Sequence, residues 1–137
     1  MSTPHSWADE QAELFERTDG AEGGTLQGKP IVVVTTIGAK SGNPRKVPVM
    51  RVEHGGSYAV VASKGGAPKN PAWYHNLVAH PQVQLQDGPR RRAYVAHEAS
   101  GAERDLWWER AVAVWPDYAA YQERTKRQIP VFVLDPA

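Results

Sequence analysis

An apolar run from Ile31 to Thr35 opens three extended stretches, roughly 31–37, 45–54 and 57–63. The last two are joined by Gly55-Gly56, a two-residue hairpin signal. Asn70 followed by Pro71 marks a helix start, with an N-cap residue ahead of a proline in the first turn. That helix should run to about Ala79 and stop at His80-Pro81. Val83-Gln84-Leu85-Gln86 alternates cleanly, Asp87-Gly88-Pro89 turns the chain, and Arg90 to Glu98 reads as the partner strand. Ser100 with Glu103 forms a capping box opening a helix with the stripes Trp107, Ala111, Val114 and Trp108, Val112, Trp115. Pro116 interrupts it, a short helical piece carries Tyr118 and Tyr121, and Pro130 to Leu134 closes the chain as a strand. At the other end, Ser6 with Asp9 suggests a further cap, and Trp7, Leu14 and Phe15 a sparse stripe over a short helix.

Six strands, mostly joined by hairpins, with two main helices inserted, predict an α+β fold, mainly antiparallel: a small barrel or strongly coiled sheet with helices packed around it. A doubly wound parallel fold would need strands and helices to alternate from the start. The division expected is an N-terminal helix and flexible linker over 1–28, with the linker at Gly20–Gly28, and one barrel domain over 29–137. A chain of 137 residues is long enough for a single core. The absence of cysteine excludes disulfides, thiolate metal sites and a thiol nucleophile. No basic and apolar leader opens the chain and no apolar run approaches a bilayer span, so a cytoplasmic protein is expected.

The net charge of +1 conceals a strong asymmetry. Residues 1–22 carry six acids against Arg17 alone, whereas Lys29 to Arg92 holds ten Lys/Arg against Glu53 and Asp87, a local balance of +8. The acidic face of the first helix argues for packing on the barrel rather than for anionic lipid. In the basic section, two loops rich in glycine and lysine each follow a strand: Gly38-Ala39-Lys40-Ser41-Gly42-Asn43-Pro44-Arg45 and Ser63-Lys64-Gly65-Gly66-Ala67-Pro68-Lys69. Glycines let backbone N–H groups approach a ligand and lysines supply charge, so the loops read as two halves of an anion-binding groove. No nucleophile-and-base motif is present. His75 and His80 stand five apart, a poor spacing for one helix face, so no metal site is predicted. His54 and His97 end strands and read as structural. With so few carboxylates in the basic section, a phosphate-bearing cofactor that brings its own reactivity suits the site better than paired acid–base chemistry.

Thr35-Thr36-Ile37-Gly38-Ala39-Lys40-Ser41-Gly42-Asn43-Pro44-Arg45, Val61-Ala62-Ser63-Lys64-Gly65-Gly66 and Asn70-Pro71-Ala72-Trp73-Tyr74-His75-Asn76-Leu77 resemble the deazaflavin-dependent nitroreductase family of actinobacteria. Its members include quinone reductases that use coenzyme F(420). The resemblance extends from about Gly24 to Pro136 and takes in Trp115-Pro116-Asp117-Tyr118 and Ile129-Pro130-Val131.

The resemblance implies a split β-barrel, related to flavin-binding barrels, in which reduced F(420) donates a hydride to a bound acceptor. It implies that Lys40, Arg45 and Lys64 hold the phosphate and carboxylate tail, with Ser41 and Gly42 in the same turn. It places Ala62, Ser63, Gly65 and Gly66 along the deazaflavin, Pro48, Val49 and Met50 beneath it, and Trp73 and Asn76 beside it. Tyr118 and Tyr121 match tyrosines on the acceptor side, with Ser63 a hydrogen-bond donor to the acceptor. The family commonly has arginine where this chain has Ala39, which implies one tail contact fewer, and often an aromatic at Met50, which weighs against nitroimidazole activation and leaves a quinone, a nitro compound or another small acceptor. Three alternatives stand beside this: an FMN-dependent oxidase or reductase on the same barrel, a non-catalytic F(420)-binding protein, and a nucleic-acid-binding barrel using Arg90-Arg91-Arg92. The last lacks aromatics interleaved with its bases and ranks lowest, so no nucleic-acid partner is predicted. The oligomeric state and a weak contact with the inner face of the cell membrane stay open.

Overall fold

The computed structural model describes Thr18 and residues 25–26, 29–63 and 70–137. The helix expected around Trp7 to Phe15, and the site residues Lys64, Gly65 and Gly66, lie outside the described residues. The elements run β1 (Thr25–Leu26), β2 (Lys29–Ile37), β3 (Pro44–Met50), β4 (Val52–His54), β5 (Ser57–Val61), α1 (Ala72–Ala79), β6 (Gln82–Asp87), β7 (Arg90–Glu98), α2 (Gly101–Val114), α3 (Asp117–Glu123) and β8 (Val131–Pro136).

Every strand pair is antiparallel. β3 lies along β2 from Ile31 against Met50 to Ile37 against Pro44. After Arg51 the same stretch of chain becomes β4 and pairs with β5, Val52 against Ala59. β2 also pairs with β6, β6 with β7, β7 with β8, and β8 with β5. Because Arg51 alone separates β3 from β4, the ladder returns to its start and closes as a barrel. The stretch expected as one strand over 45–54 is thus divided between two partners, and the Arg51 N–H donates to the Pro30 carbonyl at 3.0 Å where it turns. Thr25 and Leu26, expected in a linker, pair back onto Pro30 and Lys29.

The register sorts side chains into two cores. Val32, Val34, Tyr58, Val60, Val83, Leu85, Tyr94, Ala96, Phe132 and Leu134 meet inside the barrel, with Leu77 of α1 packed against them. On the opposite face of β2, β3–β4, β5 and β8, Ile31, Val33, Met50, Val52, Ala59, Val61, Val131 and Val133 lie beneath Trp107 and Ala111 of α2 and Tyr118 of α3. Strands covered on both faces read as unbroken apolar runs, which explains Ile31–Val34 and Val131–Leu134. Among the described residues no helix covers the outer face of β6 and β7, where Gln82, Gln84, Ala93, Val95 and His97 are exposed, and their sequences alternate.

At the end of the barrel away from the β2–β3 loop, Asp87 accepts from Arg51 Nε at 3.1 and 2.9 Å and from the Tyr58 hydroxyl at 2.5 Å. Burial, then the Asp87 bond and charge, hold the Tyr58 hydroxyl well above the usual tyrosine range, so it stays a donor. Burial pulls the Arg51 guanidinium down, but the Asp87 bond and charge outweigh it and leave the group above its ordinary value.

Both expected helix caps are replaced by other contacts. The N-cap of α1 is Pro71, whose side chain has no acceptor, and Asn70, one residue further out, accepts from Arg127 Nη1 at 2.8 Å through its Oδ1. Ser100 stands at the N-cap of α2 but makes no cap bond, and Glu103 turns to His97 Nε2 at 2.9 Å. For Glu103 a partner from another element outcompetes the local bond. No helix among the described residues is long and apolar enough to cross a membrane.

Candidate functional site

The β2–β3 loop is folded on itself by backbone bonds. The Gly38 N–H donates to the Asn43 carbonyl at 2.8 Å, the Gly42 N–H to the Gly38 carbonyl at 2.9 Å, and the Asn43 N–H to Ser41 Oγ at 3.2 Å. Two glycines are required here. Gly42 has φ 72°, and a Cβ on Gly38 would stand 2.6 Å from Ser41 Oγ. Asn76 of α1 latches the loop to the barrel: its Oδ1 accepts the Ala39 N–H at 2.9 Å and its Nδ2 donates to Thr36 Oγ1 at 3.4 Å. Thr36 is buried and donates in turn to the Arg45 carbonyl at 3.3 Å.

Between this loop and α1 lies a groove of about 550 Å³. Lys40, Arg45 and Lys46 line it from the hairpin, with Gly38, Ala39, Ser41 and Val47, while Trp73, His75 and Asn76 line it from α1. No carboxylate is among the described residues that line it. Lys40, Arg45 and Lys46 give the groove lining a cationic character that suits an anion. Trp73 is half-buried, one part packed on the barrel core and one part offered to the groove.

Of the residues singled out from the sequence, Lys40, Ser41, Arg45, Trp73 and Asn76 share this groove, and Gly42 lies in its loop. Pro48 and Val49 follow along β3, half-buried, with Val49 against the barrel interior. Met50 is buried in the helix-covered core with Trp107 and Tyr118. Ala62 and Ser63 are buried where β5 ends; the Ala62 N–H donates to the Pro130 carbonyl at 2.9 Å, and the Ser63 carbonyl accepts from Arg127 Nη2, also at 2.9 Å.

Tyr118 and Tyr121 do not line the groove. They sit in the α2–α3 layer, rings 6.2 Å apart and edge to face, with Trp108 6.4 Å from Tyr118. Trp115 Nε1 donates to the Tyr121 hydroxyl at 3.4 Å. Burial, with a smaller effect of Tyr121, raises Tyr118 well above the tyrosine range, so its hydroxyl is neutral at physiological pH. Lys46 and His75 enter the groove without having been singled out as site residues. Lys46 had counted only toward the basic excess, and His75 had been weighed only as a metal ligand. Their position beside the Gly38–Arg45 loop and Trp73 was the available signal.

The sequence model of the F(420)H(2)-dependent quinone reductases matches residues 7–136. The F(420)H(2)-dependent quinone reductase Rv1261c of Mycobacterium tuberculosis is 38% identical over 125 residues, which cover 88% of this chain and 84% of that relative. A solved F(420)-H(2)-dependent reductase, FDR-A, is 54% identical, with a TM-score of 0.74 over 77% of this chain and 94% of that one. A second solved chain, described as a domain-swapped dimer, is 50% identical, with a TM-score of 0.76 over 94% of this chain and 97% of that one. A match across nearly the whole length, together with the closed antiparallel barrel, leaves one conclusion: the chain belongs to the F(420)H(2)-dependent quinone reductase family.

Proposed function

We propose that this protein binds F(420) with its tail in the groove between the β2–β3 loop and α1, and reduces a quinone. The observation that carries the reading is the groove itself, lined by Lys40, Arg45 and Lys46 with Trp73 forming part of the wall. Such a groove fits a long polyanion attached to a flat ring. Reduced deazaflavin, when bound, supplies the hydride. In this reading Lys40, Arg45 and Ser41 bind the phosphate and carboxylate tail through charge-assisted hydrogen bonds. The family resemblance assigns Lys64 to the same tail, and Gly65 and Gly66 to the ring. Pro48, Val49 and Met50, with Ala62 and Ser63, shape the wall beside the ring, and Trp73 offers an apolar face to it.

Ser63 and the two tyrosines orient the acceptor. A tyrosine held neutral can donate a hydrogen bond to a quinone oxygen as it gains charge, and the dry aromatic surroundings of Tyr118 strengthen such a bond. The acceptor is a quinone in this reading, and nitro compounds are the secondary class. The test is to mix purified protein with reduced F(420) and follow its oxidation with a soluble naphthoquinone, a nitroimidazole, or no acceptor. Turnover with the quinone supports the proposal. Tight F(420) binding without turnover on any acceptor would leave a carrier and overturn it.

A further inference from the structure

Arg127, in the segment between α3 and β8, reaches two places that are both far from it in sequence. Its Nη2 donates to the Ser63 carbonyl at 2.9 Å and its Nη1 to Asn70 Oδ1 at 2.8 Å. Its own backbone is braced, because Gln122 Nε2 donates to the Arg127 carbonyl at 2.8 Å and the Ile129 N–H donates to Gln122 Oε1 at 2.9 Å. Gln122 is the next residue after Tyr121 on α3. A connected set of hydrogen bonds therefore runs from α3 through Gln122 and Arg127 to Ser63 at the end of β5 and to Asn70 at the start of α1. Asn70 stands one residue before the Pro71 N-cap, so its bond ties Arg127 to the entry of α1. The guanidinium also keeps the contact although burial pulls it below its ordinary value.

We infer that Arg127 is a positioning residue, which sets the spacing between the F(420) side of the site, at Ser63 and the start of α1, and the acceptor side, at α3. The inference rests on the proposed function for the meaning of those two sides. The forked geometry of a guanidinium serves two acceptors in different directions at once, and an ammonium does not reproduce it. Arg127 acts through Ser63 and Asn70, and through Gln122 beside Tyr121.

The test compares wild type, Arg127→Ala, Arg127→Lys and Asn70→Ala. Hydrogen–deuterium exchange without cofactor comes first. Arg127→Ala and Arg127→Lys should both exchange faster at Ala62–Ser63 and over the first turn of α1, with α2 unchanged. Arg127→Ala should bind F(420) about five- to tenfold more weakly, within the range of one ordinary net hydrogen bond, because the effect is transmitted rather than direct. Its kcat should fall as well, and millimolar guanidinium should restore part of that loss, while Arg127→Lys should not. If Arg127→Ala does not fold, Asn70→Ala, which spares the Ser63 bond, decides the matter by the same exchange and affinity readouts. Lower thermal stability with unchanged local exchange, unchanged kinetic constants and no guanidinium rescue would overturn the inference. Faster local exchange in the variants, with no F(420) binding by the wild type, would instead overturn the proposed function and leave the brace as a purely structural one.

Discussion

Asn76→Ala is the sharpest single perturbation of the groove. The side chain makes one good bond, to the Ala39 N–H at 2.9 Å, and one long one, to Thr36 at 3.4 Å. Ala39 is exposed, so its freed N–H finds water and no buried donor is orphaned. The net loss of stability is then that of an ordinary hydrogen bond, about 0.5–1.5 kcal/mol. The loop carries Lys40 and Ser41, and without its latch it has to be ordered when the ligand binds. The same free energy reappears in affinity, a weakening of about two- to twelvefold. Denaturant unfolding gives the first quantity, and F(420) titration by fluorescence or calorimetry gives the second. Lower stability with unchanged affinity would refute the argument, because the loop would then need no prior order. A loss beyond about a hundredfold, ~2.7 kcal/mol, would also refute it, since Asn76 would have to touch the ligand directly.

Ala39→Arg should tighten F(420) binding by adding a forked cation to the groove loop, with a gain that shrinks as salt shortens the screening length; no gain at low salt would mean that position 39 faces away from the tail. Tyr118→Phe and Tyr121→Phe should lower kcat while leaving F(420) affinity nearly unchanged, as expected for bonds made mainly in the transition state; equal rates in both variants would reduce these tyrosines to packing. Tyr118 and Tyr58 are both held above the usual tyrosine pKa, so the unfolded chain releases their protons from about pH 10 while the folded chain retains them. Their contribution is full below that pH and is lost as pH rises above it, so Tyr118→Phe should lose less stability than wild type between about pH 9 and 11; equal loss would contradict the burial argument.

Much of the barrel was legible because register and solvent exposure write themselves into the alternation. Val83-Gln84-Leu85-Gln86 has one wet face and reads as such, and Ile31–Val34 has none. Closure was less visible. Residues 45–54 read as one strand, and nothing in the local pattern at Arg51 announces that its two halves pair with β2 and β5. The cap at Asn70 was placed one residue early, and that at Ser100 was misjudged for a related reason: His97 belongs to another element, so a local rule cannot weigh it. The cationic loop was readable as an anion site from its glycines and bases. Its partner wall on α1, with His75 and the Asn76 latch, depends on how the helix crosses the hairpin. Tyr118 and Tyr121 were tied to the site by resemblance alone, and their place in the α2–α3 layer is a product of tertiary packing.

The central claim is that the cationic groove selects F(420) by its extended anionic tail. Parallel titrations of the purified protein with F(420) and with FMN, at one low salt concentration, test it most directly. FMN offers a flat ring and a single phosphate, and so engages fewer of Lys40, Arg45 and Lys46. The account predicts that F(420) binds at least about tenfold more tightly, roughly 1.4 kcal/mol, and that Arg45→Ala narrows the difference. Equal or tighter binding of FMN would contradict it.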